Sequence, residues 1–386
     1  MGNKVKIDVN LILIFSVTLM AVLGLASTTP AFPGISESLD VEYEKVGLIL
    51  SAFTIPGVVL TPILGMAADR IGRKKVIVPS LLLFGIAGGM IGFARSFDLI
   101  LILSFLQGVG ASSLGALNVT IIGDMFKGDN RTSVMGMNNS VLSIGTASFP
   151  LIGGALAGIA WFYPFFMPFV SVPIAILVWF KLKNPEPKTN KDLKTYLKVS
   201  LNSIKDPKIF SLFIVSIVTY IMLFGAFLAY FPYIISNEFG GSPAHIGILF
   251  SSMSLTTAVT SSQLGRLIKR FTSKSLLKTA FILYAAALLL IHIIPAMWML
   301  LAGTVLYGIA QGINQPNIQS MLAGLAPDDN RAVFMSVNRM VAQLGQAAGP
   351  MITGLLFMNF GVGSVFYVGA AGSLAMVAFV VIMIKN

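Results

Sequence analysis

A chain of 386 residues that is 56% hydrophobic and 11% charged, with mean hydropathy +0.87, is no ordinary soluble domain, where roughly a quarter of residues carry charge. It has no Cys, and its two His residues, His245 and His292, lie far apart without acidic or thiol neighbours at ligand spacing. Disulfide frameworks, zinc sites and His-activated nucleophiles are therefore excluded, and both His residues read as structural.

Apolar runs of roughly 18 residues or more, each long enough to cross a bilayer, occur twelve times. They fall near 11–33, 46–68, 76–95, 99–123, 133–157, 161–181, 209–235, 246–268, 276–295, 298–324, 333–358 and 363–384. With the N-terminus inside, 23 of the 26 cations fall on inner segments; Lys45 and Arg95 lie outside, and Arg339 lies within a run. Basic loops are retained on the cytoplasmic side, so the expectation is a multi-pass all-α protein of the cytoplasmic membrane with both termini inside. The net charge of +11 is then topology, and the partner is the lipid bilayer rather than a nucleic acid.

Span 1 is too long for a cleaved leader and runs directly toward span 2. It ends in Ser27-Thr28-Thr29-Pro30-Ala31-Phe32-Pro33, where two prolines free backbone carbonyls. Span 2 carries Pro56-Gly57 and Pro62, which is kink chemistry. A tight basic turn follows, Gly65-Met-Ala-Ala-Asp69-Arg70-Ile-Gly72-Arg73-Lys74-Lys75. Asp69 stands at the C-terminal end of span 2, where the helix dipole disfavours an anion, so a partner elsewhere is expected. Asp124 ends span 4 near Arg131, and a purely structural ion pair is one reading of Asp124. The small residues Gly108-Val109-Gly110-Ala111-Ser112-Ser113 of span 4 favour close helix packing. Residues 181–208 are the one long polar stretch, and Leu193, Leu197, Leu201 and Ile204 form one face of an amphipathic surface helix. The expected division is a bundle over 1–180, a cytoplasmic linker over 181–208 and a second bundle over 209–386.

An offset of 200 residues exposes a duplication. Residues 65–154 set against 265–354 without gaps give 20 identities in 90 positions. They include Gly65 with Gly265, Arg70 with Arg270, Asn130-Arg131 with Asn330-Arg331, Asn138 with Asn338, Gly145 with Gly345, and Pro150 with Pro350. Matched Gly, Pro, Asn and Arg in register are not what shared hydrophobicity produces. Two homologous six-span halves are implied, with a site at their interface near mid-membrane.

The order Gly65-x-x-x-Asp69-Arg70-x-Gly72-Arg73-Lys74 resembles motif A of the major facilitator superfamily. The resemblance implies that Asp69 contacts the start of span 11, here Asn330-Arg331, and latches the state open to the outside. Gly145-x-x-x-Phe149-Pro150-x-x-Gly153-Gly154 in span 5 resembles motif C of drug:proton antiporter-type exporters, with a second copy in Gly345-x-x-x-Gly349-Pro350-x-x-Thr353-Gly354. Phe149 departs from the Gly of that pattern. Gln107-Gly108 matches motif B, but Phe105 is read at the place of that pattern's intramembrane Arg, and no Asp or Glu lies deep in a span.

The fold so implied has twelve helices in two pseudo-symmetric six-helix bundles, working as a monomer without cofactor or metal. In it spans 1, 4, 7 and 10 line the cavity, which nominates Asn118, Phe224, Gln311 and Asn314. Asn138, Asn139 and Gln343 extend the polar surface on spans 5 and 11. Arg339, two turns (about 11 Å) into span 11, should face the cavity unless it snorkels to the interface. An aromatic and amide surface suits a neutral or amphipathic organic molecule, or an anion if Arg339 is exposed. The expected function is alternating-access export of a small amphipathic organic compound, with protons as coupling ion by resemblance. The alternatives are a uniporter or importer of a small polar solute or organic anion without proton coupling, and a non-transporting receptor on the same scaffold. No nucleophile, metal set or phosphate loop supports an enzyme.

Overall fold

A computed structural model describes residues 8–183, 206–325 and 331–384, with no strand among them. The amphipathic helix expected in the linker lies outside the described residues, as does Asn330. Ten helical stretches are long and apolar enough to cross a membrane: Val9–Leu39, Tyr43–Ile71, Arg73–Phe93, Phe97–Met125, Asn130–Ala157, Tyr163–Lys181, Pro207–Glu238, Ser273–Ile293, Phe334–Phe360 and Val362–Met383. Two further helices, Pro243–Ser262 and Leu300–Leu325, are more polar and occupy the places of spans 8 and 10. Spans are numbered 1 to 12 in that chain order. The face carrying the turn between spans 2 and 3 is called the basic face.

Span 1 runs past Pro30 and Pro33, beyond the end expected near residue 33. A 3₁₀ turn over Thr29–Ala31 hands over to a helix over Phe32–Leu39, and each proline sits in a first turn, where its missing N–H is not needed. Span 2 likewise continues through Pro56 and Pro62 to Ile71. There Gly72 adopts φ +105°, a conformation that L side chains resist, and its N–H caps Ala68 O at 3.1 Å. One residue thus turns span 2 into span 3, and the basic cluster is held compactly. Span 7 changes to π-helix over Met222–Tyr230, widening the turn beside the centre of the molecule.

Packing follows the duplication. Span 2 packs on span 4 as span 8 does on span 10, span 3 on span 4 as span 9 on span 10, and span 1 on span 5 as span 7 on span 11. Across the seam, span 5 meets span 8 while span 11 meets span 2. The contacts exchange residue for residue. A Cβ at Gly47 would lie 3.3 Å from Pro350 Cβ, and one at Gly247 would collide with Pro150 O. Gly354 likewise approaches Glu44 O, while Gly154 approaches Ala244 Cα. Since lipid tails are as apolar as Leu, such small-residue approaches, rather than hydrophobic burial, select which helices associate.

The two faces of the seam differ. Away from the basic face, Phe32, Ile35, Val46, Ile49 and Leu50 of the first half share one apolar cluster with Phe227, Tyr230, Phe231 and Ile234 of the second. Hydrogen bonds reinforce it: Tyr43 Oη donates to Ala229 O at 3.2 Å, Tyr230 Oη to Glu44 O at 3.4 Å, and Ser51 Oγ to Ala347 O at 2.7 Å. Toward the basic face the first half keeps a cluster of its own, with Leu11, Ile14, Ile77, Leu81, Leu114 and Val178. Gly65, Gly136 and Gly265 there have open space where a Cβ would sit.

Candidate functional site

A cavity of about 340 Å³ lies between the halves. It draws on spans 1, 2, 4 and 5 of the first half and spans 7, 8, 10 and 11 of the second. Its apolar wall is built from Val22, Leu25, Phe53, Leu223, Phe224, Phe250 and Met253. Its polar wall includes Ser112, Tyr220, Gln311, Gln315, Gln343 and Gln346. Arg339 is the one charged residue among the described lining residues, and it is exposed to the cavity.

Span 11 supplies Arg339, Gln343 and Gln346 at i, i+4 and i+7, a single helical face directed at the first half. Two of these side chains cross the seam into places that glycines leave open. The Arg339 guanidinium lies where a Cβ on Gly115 of span 4 would be 2.7 Å from Nη2. The Gln343 amide lies against Gly57 of span 2, where a Cβ would be 2.8 Å from Cδ. Thr61 Oγ1 lies 3.2 Å from Gln343 Oε1 and donates to Ser112 O at 3.0 Å. On the second half a polar chain lines the wall. Tyr284 Oη donates to Gln311 Oε1, Gln311 Nε2 to Gln315 Oε1 at 3.3 Å, and Gln315 Nε2 to Tyr220 Oη at 2.7 Å.

Of the residues nominated from sequence for this wall, Phe224, Gln311, Arg339 and Gln343 are on it. Asn118, Asn138, Asn139 and Asn314 are not. Asn118 and Asn138 are buried within the first half, where Asn118 Nδ2 donates to Thr18 Oγ1, and Thr18 Oγ1 to Asn138 Oδ1 at 2.5 Å, joining spans 1, 4 and 5. Asn314 lies 300° around span 10 from Gln311, which aims it at span 7, and Nδ2 donates to Thr219 Oγ1 at 2.7 Å. Asn139 is exposed away from the cavity lining. These amides act as interhelical ties, which polar groups in lipid commonly do. Sequence nominated neither Tyr220, Gln315 and Gln346 nor the glycine seats at Gly57 and Gly115. The i, i+4, i+7 spacing from Arg339 was the signal that would have found Gln346.

At the basic face, Arg73 is buried between two carboxylates, bonding Asp69 through Nη1 and Asp124 through Nε at 2.8 Å. Asp124 thus pairs with Arg73, while Arg131, near it in sequence, rests over Gly123, its Nη2 3.2 Å from where a Cβ would be. Asp124 Oδ2 faces back toward span 3, and Arg73, the first residue of that span, reaches it directly. Arg70 is exposed at the end of span 2, and Gly65 lies one turn before Asp69. Arg331 is placed only as the helical start of span 11. The motif C residues sit in the close approaches away from that face. Gly145 packs on Leu19, Gly153 on Ser27 O, and Gly154 and Pro150 on span 8. A Cβ on Gly349 would lie 2.8 Å from Ile221 O, and Pro350 packs on Gly47.

A family model described as Major Facilitator Superfamily matches residues 14–237 and 212–386. Multidrug resistance protein 1 of Bacillus subtilis (strain 168) is 26% identical over 355 residues, 91% of this chain and 90% of that protein. The bacillibactin exporter of the same organism is 32% identical over 163 residues, 40% of each chain. Quinolone resistance protein NorA of Staphylococcus aureus (strain MRSA252) is 22% identical over 365 residues, 93% of this chain and 92% of that protein. Among solved structures, the nucleoside transporter NupG superposes with a TM-score of 0.80 at 14% identity, over 98% of this chain and 100% of that one. A bacterial homologue of the human lysosomal transporter Spinster, in an inward-facing and unoccupied conformation, gives 0.76 at 18% identity, over 97% and 94%. At such identities these structures speak to the fold.

Proposed function

The chain belongs to the Major Facilitator Superfamily, and from that premise we propose that it exports a small amphipathic organic compound across the cytoplasmic membrane by alternating access. The observation that carries this reading is the cavity at the seam, shut on one side by a shared apolar cluster and loosely packed on the other. With the basic loops inside, the loosely packed side faces the cytoplasm, where a compound to be expelled would enter. The relatives matched over nine-tenths of the chain carry resistance names, which favours export over uptake. The rocking units are residues 1–180 and 209–386, joined by 181–208.

Arg73 has a mechanical role in this reading. It fixes Asp69 beside the start of span 3 while the seam is open at the basic face. When the halves close there, Asp69 becomes available to the N-terminal end of span 11, whose helix dipole favours an anion. Pro150, Gly153, Gly154, Gly349 and Pro350 let spans 5 and 11 bend and separate at the other end. Proton coupling, implied by resemblance to drug:proton antiporters, would need a titrating group; the described cavity wall has neither acid nor His.

The test is dye accumulation in cells overexpressing the protein, across a panel of amphipathic dyes. Export predicts lower steady-state accumulation of at least one dye, restored by Asp69→Asn with normal expression. Unchanged or raised accumulation across the panel contradicts it.

A further inference from the structure

The cavity holds one guanidinium and, among its described lining residues, no carboxylate to neutralise it. An uncompensated cation at this depth is costly, and such groups face a pathway and meet a counter-charge. The duplication shows that the fold does not require it. The matching residue of span 5 is Asn139, which sits off the cavity, while the same ancestral helix forms and packs. The cation is also seated: the absent Cβ of Gly115 leaves room for its Nη2 on the opposite half. Donors line the same cavity: Gln343 and Gln346 share its helix face, and Tyr220 stands on the wall of span 7. Tyr220 Oη already accepts from Gln315, which leaves its own O–H to donate. A planar guanidinium with flanking N–H and O–H donors is matched to an oxyanion. The aromatic and aliphatic wall opposite suits an apolar body.

Resting on the export reading above, we propose that the substrate is an amphipathic organic monoanion whose head binds Arg339, and that the membrane potential drives its export. The charge balance is simple. The empty cavity carries +1 and the loaded cavity is neutral, so each complete cycle moves one negative charge outward. An interior-negative potential favours that direction and sustains about a 50-fold gradient for each 100 mV. No group in the cavity has to exchange a proton.

The full-length protein reconstituted in liposomes decides this with three naphthalene probes: the 2-sulfonate, the neutral 2-sulfonamide and the 2-trimethylammonium cation, the two ionic ones charged at all pH values. Efflux from loaded vesicles is followed while valinomycin and potassium set the potential. The expected result is sulfonate efflux that accelerates when the interior is negative and ignores an imposed pH step. Arg339→Gln lowers that flux at least tenfold, and Arg339→Lys retains more of it than Arg339→Gln. Gly115→Ala, which keeps the charge but displaces the guanidinium from its seat, lowers it several-fold; unfolding temperatures in detergent verify that each variant is folded. Movement of the cation or sulfonamide without the sulfonate overturns the anion proposal and leaves the transporter reading standing. So does sulfonate flux that follows the pH step, or that Arg339→Gln leaves intact. Failure of all three probes to move above empty liposomes removes both.

Discussion

Spans 5 and 11 descend from one helix and still do the same structural work, yet only one of them reaches into the opposite half. Both carry a Gly and a Pro at matching places, Gly145 with Gly345 and Pro150 with Pro350, and each packs its Pro against a glycine of the other half. At the three cavity-directed positions of span 11 the side chains are Arg339, Gln343 and Gln346; span 5 has Asn139, Ser143 and Thr146. The backbone device was kept and the side chains at these three positions diverged. The turns after spans 2 and 8 teach the same lesson. A buried Arg73 bridges the partly exposed Asp69 and Asp124, where the second half has Lys269, Ser273 and Gly324. The chain departs from its own symmetry at the cavity and at the basic face, and keeps it in the helix frame.

The ionic cluster offers the sharpest way to break that comparison. Arg73→Ala leaves two partly exposed carboxylates facing one another and is expected to cost about 1–2 kcal/mol after solvent screening, read as a lowered unfolding temperature in detergent. Its counterpart Ser273→Ala should stay within about 0.5 kcal/mol, because it removes a hydroxyl and keeps the backbone carbonyl that accepts from Asn317. Equal effects at the two positions would contradict the asymmetry.

The seam glycines come next. Gly247→Ala drives a Cβ into the backbone oxygen of Pro150, which cannot yield, so a cost of about 1–3 kcal/mol to the closed seam is expected. Gly47→Ala meets a ring carbon at 3.3 Å and should cost less than about 1 kcal/mol. Accessibility of introduced cysteines to a thiol reagent added outside measures the seam directly. Gly247→Ala should raise it and Gly47→Ala should leave it nearly unchanged. The smallest effect is expected at the interhelical amides. Asn118→Ala removes the tie to Thr18 and should cost about 1 kcal/mol of stability while leaving the affinity for transported compounds unchanged. A shifted affinity would return Asn118 to the cavity wall.

Hydropathy and the 200-residue offset were enough to give the twelve helices, including spans 8 and 10, whose Ser, Thr, Gln and Asn content weakens their apolar signal. The repeat placed them as counterparts of spans 2 and 4. Arg339, Gln343 and Gln311 were legible because a charged or amide side chain facing lipid is costly, and Phe224 because it lies on span 7, expected to line the cavity. Asn118, Asn138 and Asn314 were not, because a sequence gives the face of a helix poorly and the depth of its neighbour not at all. Asn118 lies seven residues beyond Ala111, on nearly the same face, but two turns deeper, where span 1 closes over it. The pairing of Asp124 with Arg73 rather than Arg131, and the seats at Gly57 and Gly115, depend on residues from different spans meeting. That information exists only in the folded chain.

The central claim is that the two halves must part on the face away from the basic loops for transport to occur. The absence of native Cys makes one measurement clean. At Gly47 and Ala229 the Cβ positions lie 3.4 Å apart across the seam, close to the spacing of about 3.8 Å that a disulfide prefers. In the doubly substituted Gly47→Cys, Ala229→Cys protein, oxidation should join the halves and stop transport, and reduction should restore it. A cross-linked protein that transports at the uncross-linked rate would contradict the account.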